Sequence, residues 1–423
     1  MSCDGVSGGA LKEELNEQQV KELLSEVRHQ TSLHWNFRRL KSLPRELLEE
    51  CSHIEQMYLK CNLLMNLPNN LGCLSHLTYC HLNGNNLQCL PDSIGEMVSL
   101  QVLDVGNNKL KALPLTLSKL PSLRSLVAVY NQITCFPAEL CCLQSLSLLM
   151  LSGNSLLHLP EAISGLTGLQ GLYIDHNLLR ELPRSLAALP ILTRISCCCN
   201  HLTHLPAVAF ISRPKFFFDN NSGINYLPFS LVRQLRSGET WNPVVMQTSG
   251  CFQDSAVVNN TVYISLSRPV KSGNSHWLVL PPQINTVTTS LSGSAKLPPL
   301  KEICLRSIWS GKQRSRNGTW HITNGINVGL LPSSLCVILE IGPVAYCETP
   351  GCEMPIFTHT SIIVVTISLS AKLYMEGSLV PTVMYFCCDS CAKQYTQSIQ
   401  KMVDEFSLWL RGRLECACSI ELV

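Results

Sequence analysis

The chain has 423 residues, with 32 Lys and Arg against 30 Asp and Glu, a formal net charge of +2 and 46% hydrophobic residues. This length accommodates two or more domains, and a near-neutral balance with scattered cations argues against the massed basic surface that nucleic acid or an acidic membrane requires. The 22 cysteines would form a disulfide framework in a secreted chain, but read as buried thiols and metal ligands in a reducing compartment.

Residues 1–31 open with MSCDGVSGGA and LKEELNEQQVKELLSEV, which lack an apolar core of signal-peptide length, so retention in the cytosol is expected. Leu11, Leu15, Leu23, Leu24 and Val27 recur near helical spacing among charges. They predict a helix that caps the segment beginning at Ser32.

From Ser32 onward an apolar residue followed by proline returns at Pro44, Pro68, Pro91, Pro114, Pro137, Pro160, Pro183, Pro206 and Pro228, at intervals of 24, then 23 six times, then 22. Within the unit Leu77–Pro91, LTYCHLNGNNLQCLP, Leu77, Cys80 and Leu82 alternate as a short strand requires, Asn85 follows, and Leu87 and Leu90 turn inward. Asn62, Asn85, Asn108, Asn131, Asn154, Asn177, Asn200 and Asn221 hold the same slot. Their amides both donate and accept, which suits backbone groups buried between coils. The ends differ, with Trp35 and Arg38 replacing a leucine and the asparagine in the first unit, and FFFDNNSGINYLP closing the last. One such coil cannot bury its own leucines, so units must stack.

The pattern resembles the leucine-rich repeat. That resemblance implies an α/β solenoid of nine repeats over residues 32–235, with a parallel sheet on its concave face. Side chains between the inward leucines then point out of the sheet. By slot these are Gln56, Tyr58, Lys60, Tyr79, His81, Asn83, Asp104, Tyr130, Met150, Tyr173, Asp175, His176, Arg194, Lys215, Phe217 and Asp219. Aromatic residues with a few charges suit recognition of a protein partner, on a face roughly 40 Å long at about 4.8 Å per strand. His81 and His176 lie four repeats apart, about 19 Å at the same spacing, and cannot share a metal. Cys197 fills an inward slot and Cys198 and Cys199 flank Asn200, so packing accounts for this run.

Residues 236–296 lose the period and are rich in Gly, Ser, Thr, Asn and Val, with candidate strands at Thr261–Ser265 and His276–Leu280. They read as an irregular β insertion or linker. No P-loop, nucleophile elbow or usefully spaced carboxylate pair occurs, and the chain is read as non-enzymatic.

Residues 297–395 carry the remaining motifs. In PLKEICLRSI, Leu300, Cys304 and Ile308 fall four apart on one helical stripe. With Pro299 they resemble the Elongin-C-binding box of the suppressor-of-cytokine-signalling and von Hippel-Lindau class, and Leu331, Pro332, Leu335, Ile338 and Leu339 resemble its cullin-contacting element. The resemblance implies Elongin B and C and a cullin as partners, hence a ubiquitin-ligase substrate receptor. Next, Cys347 and Cys352 with four residues between them, then Cys387, Cys388 and Cys391, have zinc-ribbon spacing. Cys347, Cys352, Cys388 and Cys391 are the expected ligands of one structural zinc, with Cys387 as alternate for Cys388. A closed four-thiolate site leaves no open position for a substrate. The apolar run Ser361–Ala371 is too short to span a bilayer and predicts a buried strand. In residues 396–423, Ile399, Met402, Val403, Phe406 and Leu410 predict a terminal amphipathic helix.

The order of these motifs from Thr31 to Tyr395 resembles a family of intracellular leucine-rich repeat adaptors without catalytic residues. An alternative is a signalling scaffold, since repeats of this length and step resemble those of Ras-pathway adaptors.

Overall fold

A computed structural model describes residues 29–43, 52–224, 226–228, 230–231, 247–248, 252–258, 261–266, 277–279, 286–288, 312–314, 320–322, 343–352, 354–357, 359–368, 379–388 and 390–395, with the single positions Ser25, Leu48, Glu302, Leu305, Arg306, Trp309, Ile338, Leu339 and Gln397. The chain divides into two compact units, residues 1–205 with 209–224 and residues 206–208 with 225–423. The helices expected within 1–31 and 396–423 fall almost wholly outside the described residues.

In the first unit, β1 (Ser32–His34), β2 (Gln56–Tyr58), β3 (Tyr79–His81), β4 (Val102–Asp104), β5 (Ser125–Val127), β6 (Leu148–Met150), β7 (Gly171–Tyr173), β8 (Arg194–Ser196) and β9 (Lys215–Phe217) form one sheet in chain order. Every pairing is parallel and joins equivalent residues of successive units, as in Tyr79↔Val102 and Val102↔Ser125. The central residue of each strand is buried: Leu33, Met57, Cys80, Leu103, Leu126, Leu149, Leu172, Ile195 and Phe216. A one-residue slip would turn this whole set to solvent, so the hydrophobic pattern fixes the register.

The recurring proline explains the return path. Pro91, Pro114, Pro137, Pro160 and Pro183 precede the 3-10 turns Asp92–Glu96, Leu115–Lys119, Ala138–Cys142, Glu161–Gly165 and Arg184–Ala188, each with φ between −62° and −70°. The ring fixes that angle, and the proline carbonyl accepts the first turn bond, as in Ile94 N to Pro91 O at 3.1 Å. The convex side of the described repeats therefore carries short 3-10 turns, and each buries an apolar residue, such as Ile94, Leu117 or Leu140, against the strand layer.

Each asparagine of the column bridges two coils. Asn85 Nδ2 donates to Leu59 O at 2.9 Å and Leu82 O at 2.8 Å, while its Oδ1 accepts from Leu64 N at 3.1 Å. The same set recurs at Asn108, Asn131, Asn154, Asn177 and Asn200. In the first unit Arg38 N and Leu40 N both donate to Asn62 Oδ1, and Asn62 Nδ2 donates to Trp35 O, so the atypical coil is tied in by its successor. The residue before each asparagine, and Phe37 in the first unit, has a left-handed backbone, with φ from 51° to 74° along Phe37, Cys61, Gly84, Asn107, Tyr130, Gly153, His176, Cys199 and Asn220. A non-glycine residue there costs on the order of 1–2 kcal/mol, and the pinned asparagine beside it holds the turn.

In the second unit, β10 (Leu227–Pro228) lies parallel to β21 (Leu379–Phe386), which runs antiparallel to β20 (His359–Ser368). Strands β11 (Gln247–Thr248) and β15 (Thr286–Thr288) also pair with β20. Part of the stretch expected as an insertion or linker at 236–296 thus belongs to the sheet of the cysteine-bearing module. Strands β12 (Phe252–Val258), β13 (Thr261–Leu266) and β14 (Trp277–Val279) form an antiparallel meander, β16 (Lys312–Arg314) pairs with β17 (Trp320–Ile322), and β18 (Ala345–Tyr346) with β19 (Pro355–Ile356). Leu305, Leu339 and Phe357 make a local core, and the Trp309 ring meets Phe357 edge-on at 5.7 Å. The buried Tyr226 and Tyr385 hydroxyls share a 3.2 Å hydrogen bond. No helix of the described residues is long and apolar enough to cross a membrane.

Candidate functional site

The exposed side of the repeat sheet is built from the first and third residues of each strand, because the second points inward. The third positions form the row His34, Tyr58, His81, Asp104, Val127, Met150, Tyr173, Ser196, Phe217. At one end the His34, Tyr58 and His81 rings stack, with centroids 4.7 and 5.1 Å apart and planes within 10°. His81 Nδ1 lies 3.7 Å from Asp104 Oδ2. In the middle, half-buried Val102, Val127, Leu148 and Met150 present an apolar stretch. Toward the other end Arg194 Nη1 donates to Tyr173 Oη at 3.4 Å, and its guanidinium carbon lies 5.8 Å from the Phe217 ring centre.

Among the expected contact residues, Tyr58, Tyr79, His81, Asp104, Tyr173, Arg194 and Phe217 stand on strands of this face. Tyr130 does not. It occupies the left-handed turn after β5, is 60% exposed, and lies so near Gly153 that a Cβ there would approach Tyr130 Cδ1 to 2.5 Å. The strands have only three residues, which moves this slot off the sheet. Asp175 also lies beyond its strand, and its carboxylate accepts from Ser196 Oγ at 2.6 Å, Cys198 N at 2.8 Å and Ser152 Oγ at 3.2 Å. These donors give it an internal bridging role. Cys197 is buried, and burial raises its thiol pKa well above the ordinary range, an environment for an inert thiol.

The second site lies in the carboxy-terminal module. The β18–β19 hairpin carries Cys347 and Cys352 across a turn in which Cys347 N donates to Met354 O, Cys352 N donates to Thr349 O, and Gly351 has φ 79°. Cys387 follows directly on β21, and Cys391 lies in the helical residues 390–395. The sulfurs of Cys347, Cys352, Cys387 and Cys391 all lie within 4.8 Å of one another. Three of the separations are 3.6, 3.7 and 3.8 Å. A tetrahedral metal with sulfur at about 2.3 Å places its ligands about 3.8 Å apart, whereas a disulfide requires about 2.05 Å.

This grouping corrects the expected ligand set in one position, since Cys387 occupies the place assigned to Cys388. The Cys388 carbonyl accepts from Ala392 N at 3.2 Å, which commits Cys388 to the start of the helix. Its sulfur lies 3.8 Å from that of Cys387 but outside the group of four. Thr349, which the spacing did not single out, braces the site by donating to Cys391 O at 3.1 Å while accepting from Cys347 Sγ at 3.5 Å. The Cys387 thiol lowers the pKa of Cys347 through their hydrogen bond, the same bond raises that of Cys387, and burial pushes Cys391 up to about 12. One thiolate thus opposes the ionisation of its neighbours, and a divalent cation relieves that opposition. The donor set fits such a cation.

Leu300, Cys304, Ile308 and Pro332 of the Elongin-type box lie outside the described residues. Around them, Glu302 is fully buried and accepts from Arg306 Nε and Phe357 N, both at 2.9 Å, while Arg306 Nη1 donates to Cys387 O at 3.1 Å. This ion pair, which periodicity did not reveal, ties the helical residues to the end of β21 beside the cysteines.

Residues 75–133 match the family model described as Leucine rich repeat. No curated protein matches the chain. Among solved structures, a Leptospira interrogans LRR protein is 24% identical over 47% of this chain and 62% of its own, with a TM-score of 0.35. The plant peptide hormone receptor RGFR1 in complex with RGF2 is 26% identical over 39% of this chain and 27% of its own, at 0.35, and internalin C2 from Listeria monocytogenes is 22% identical over 42% and 75%, at 0.37. The matched part is less than two thirds of the Leptospira and plant chains. The unbroken register of β1–β9, the 23-residue period and the asparagine column make the first unit a leucine-rich repeat solenoid.

Proposed function

We propose that this chain is a non-enzymatic intracellular adaptor that holds a protein partner on the concave face of its repeats. The observation that carries this reading is the row from His34 to Phe217, where aromatic and charged side chains project from a rigid, evenly spaced sheet. Rigid aromatics anchor protein interfaces at low entropic cost, and a regular parallel sheet offers them together. The cysteine module holds one structural zinc through Cys347, Cys352, Cys387 and Cys391, which closes the hairpin onto the end of β21.

Within this reading the adaptor is the substrate receptor of an Elongin-cullin ubiquitin ligase. Support comes from the sequence of the box, and from helical periodicity. At 3.6 residues per turn, the stripe of positions 300, 304 and 308 centres about half a turn from Glu302, Arg306 and Trp309, with Leu305 between the two. On this reading the stripe of positions 300, 304 and 308 is the one that Elongin C covers. The test is affinity purification from cells, comparing wild type with Leu300→Asp. Elongin B and C should accompany the wild-type protein and vanish from the variant while zinc content and partner capture persist. Elongin absent from the wild-type eluate would overturn the receptor assignment and favour the signalling-scaffold alternative.

A further inference from the structure

The carboxy-terminal half of the concave face holds a depression of about 380 Å³ lined by Leu148, Gly171, Tyr173, Arg194 and Lys215 among others. Its floor exists because Gly171 occupies a first strand position, where the neighbouring strands carry Leu148 and Arg194. A Cβ at residue 171 would already approach Leu148 Cδ1 to 3.1 Å and Tyr173 Cε2 to 3.2 Å. The missing side chain therefore opens space between an aliphatic wall and an aromatic one.

The rim is cationic. Arg194 and Lys215 are paired positions on β8 and β9, so two like charges stand on adjacent strands, an arrangement that weakens a sheet unless something else uses it. None of the residues of β6–β9 is acidic. The nearby Asp175 carboxylate is occupied by Ser196, Cys198 and Ser152. Tyr173 Oη and the Phe217 ring hold the guanidinium in place, so its remaining N–H groups are presented with little further loss of rotamer freedom. At about 30 Å³ per water, the volume corresponds to roughly a dozen waters, the size of a side chain with its flanking backbone and far more than a single ion needs.

The geometry points to an acidic peptide segment of the protein partner as the occupant, with an Asp or Glu carboxylate between Arg194 and Lys215 and its aliphatic stem over Gly171 against Leu148 and Tyr173. This inference rests on the concave-face reading above and specifies the chemistry it selects. A random-sequence peptide library displayed on phage, selected against the full chain, provides the test. Enriched peptides should share an acidic position next to an apolar one. Their synthetic forms should bind at least about tenfold more weakly when that acid is changed to its amide, with a similar loss in the Arg194→Gln/Lys215→Gln protein and no further loss when both changes are combined. Gly171→Leu, which occupies the floor of the depression without altering charge, should also abolish binding, with circular dichroism verifying the fold of each variant. Enriched peptides that lack an acid, or that ignore these changes yet are lost in Tyr58→Ala, would overturn the pocket and leave the concave face standing. Peptides indifferent to every concave substitution, or no enrichment at all, would overturn both.

Discussion

Asn154 sits near the middle of the stack and measures what the asparagine column contributes. Its Nδ2 donates to Ala128 O and Leu151 O, each at 2.9 Å, and its Oδ1 accepts from Ile133 N at 3.0 Å. Asn154→Ala leaves the Ile133 N–H without its partner between packed coils and removes one of two bonds from each carbonyl, since Ala128 O still accepts from Asn131 Nδ2 and Leu151 O from Asn177 Nδ2. The orphaned N–H costs about 1–3 kcal/mol and each lost carbonyl bond about 0.5–1.5 kcal/mol, and a water in the vacated amide volume offsets part of that. The expected loss is about 2 kcal/mol, a sizeable share of the stability of an ordinary domain. Urea unfolding followed by far-ultraviolet circular dichroism reads it as a shift in midpoint. The exposed Lys109→Ala is the control and should move stability by less than about 0.5 kcal/mol. A loss under about 1 kcal/mol for Asn154→Ala, with an unchanged denaturant slope, would mean that the freed backbone groups are solvated and that the leucine layers alone hold adjacent coils together.

The remaining predictions concern protons, metal and binding. Burial, and secondarily Arg184, lowers the pKa of His204 to about 4 from an ordinary 6.5; the unfolded state therefore takes up a proton that the folded state refuses, and stability falls as pH drops from about 6.5 toward 4. With 12% of the side chain still exposed, the loss should be about 2 kcal/mol, and a stability-pH profile of His204→Gln that superimposes on wild type would refute it. Purified protein should contain about one zinc per chain by elemental analysis. Cys387→Ser and Cys391→Ser should lose it while Cys388→Ser keeps it, and the reverse result at 387 and 388 would restore the ligand set read from spacing. Tyr58→Ala with Tyr173→Ala should weaken partner capture by about 2 kcal/mol or more without shifting the unfolding midpoint; capture that survives both changes would move the binding surface off this face.

The repeats were legible because nine near-copies of one pattern average out local ambiguity: the period gave strand positions, the inward residues gave the register, and the asparagine slot gave the bridging amides. Tyr130 lies in the turn and not on the strand, because a period locates a slot without saying where a three-residue strand ends. A signal for the turn was present, since its counterparts include Gly84, Asn107, Gly153 and Asn220, types that tolerate positive φ. The choice between Cys387 and Cys388 was illegible, since it depends on where β21 stops and the following helix begins. The pairing of β11 and β15 with β20 joins segments far apart in sequence, and no local periodicity records such contacts. Gly171 had only the weak signal of a glycine inside a strand slot, and its meaning emerged from the Arg194 and Lys215 positions beside it.

The bonds of each column asparagine reach only its own coil and the one before it, which gives the solenoid a mechanical character. Tension applied along its length is carried in full by every inter-coil layer, and these bonds offer no route for sharing it across the stack. A single molecule pulled by its ends should therefore lengthen in discrete steps, each releasing one unit of 23 residues, or about 80 Å of extended chain at roughly 3.5 Å per residue. The force trace would be a sawtooth in which an Asn154→Ala molecule loses the height of one tooth while the spacing between teeth stays constant.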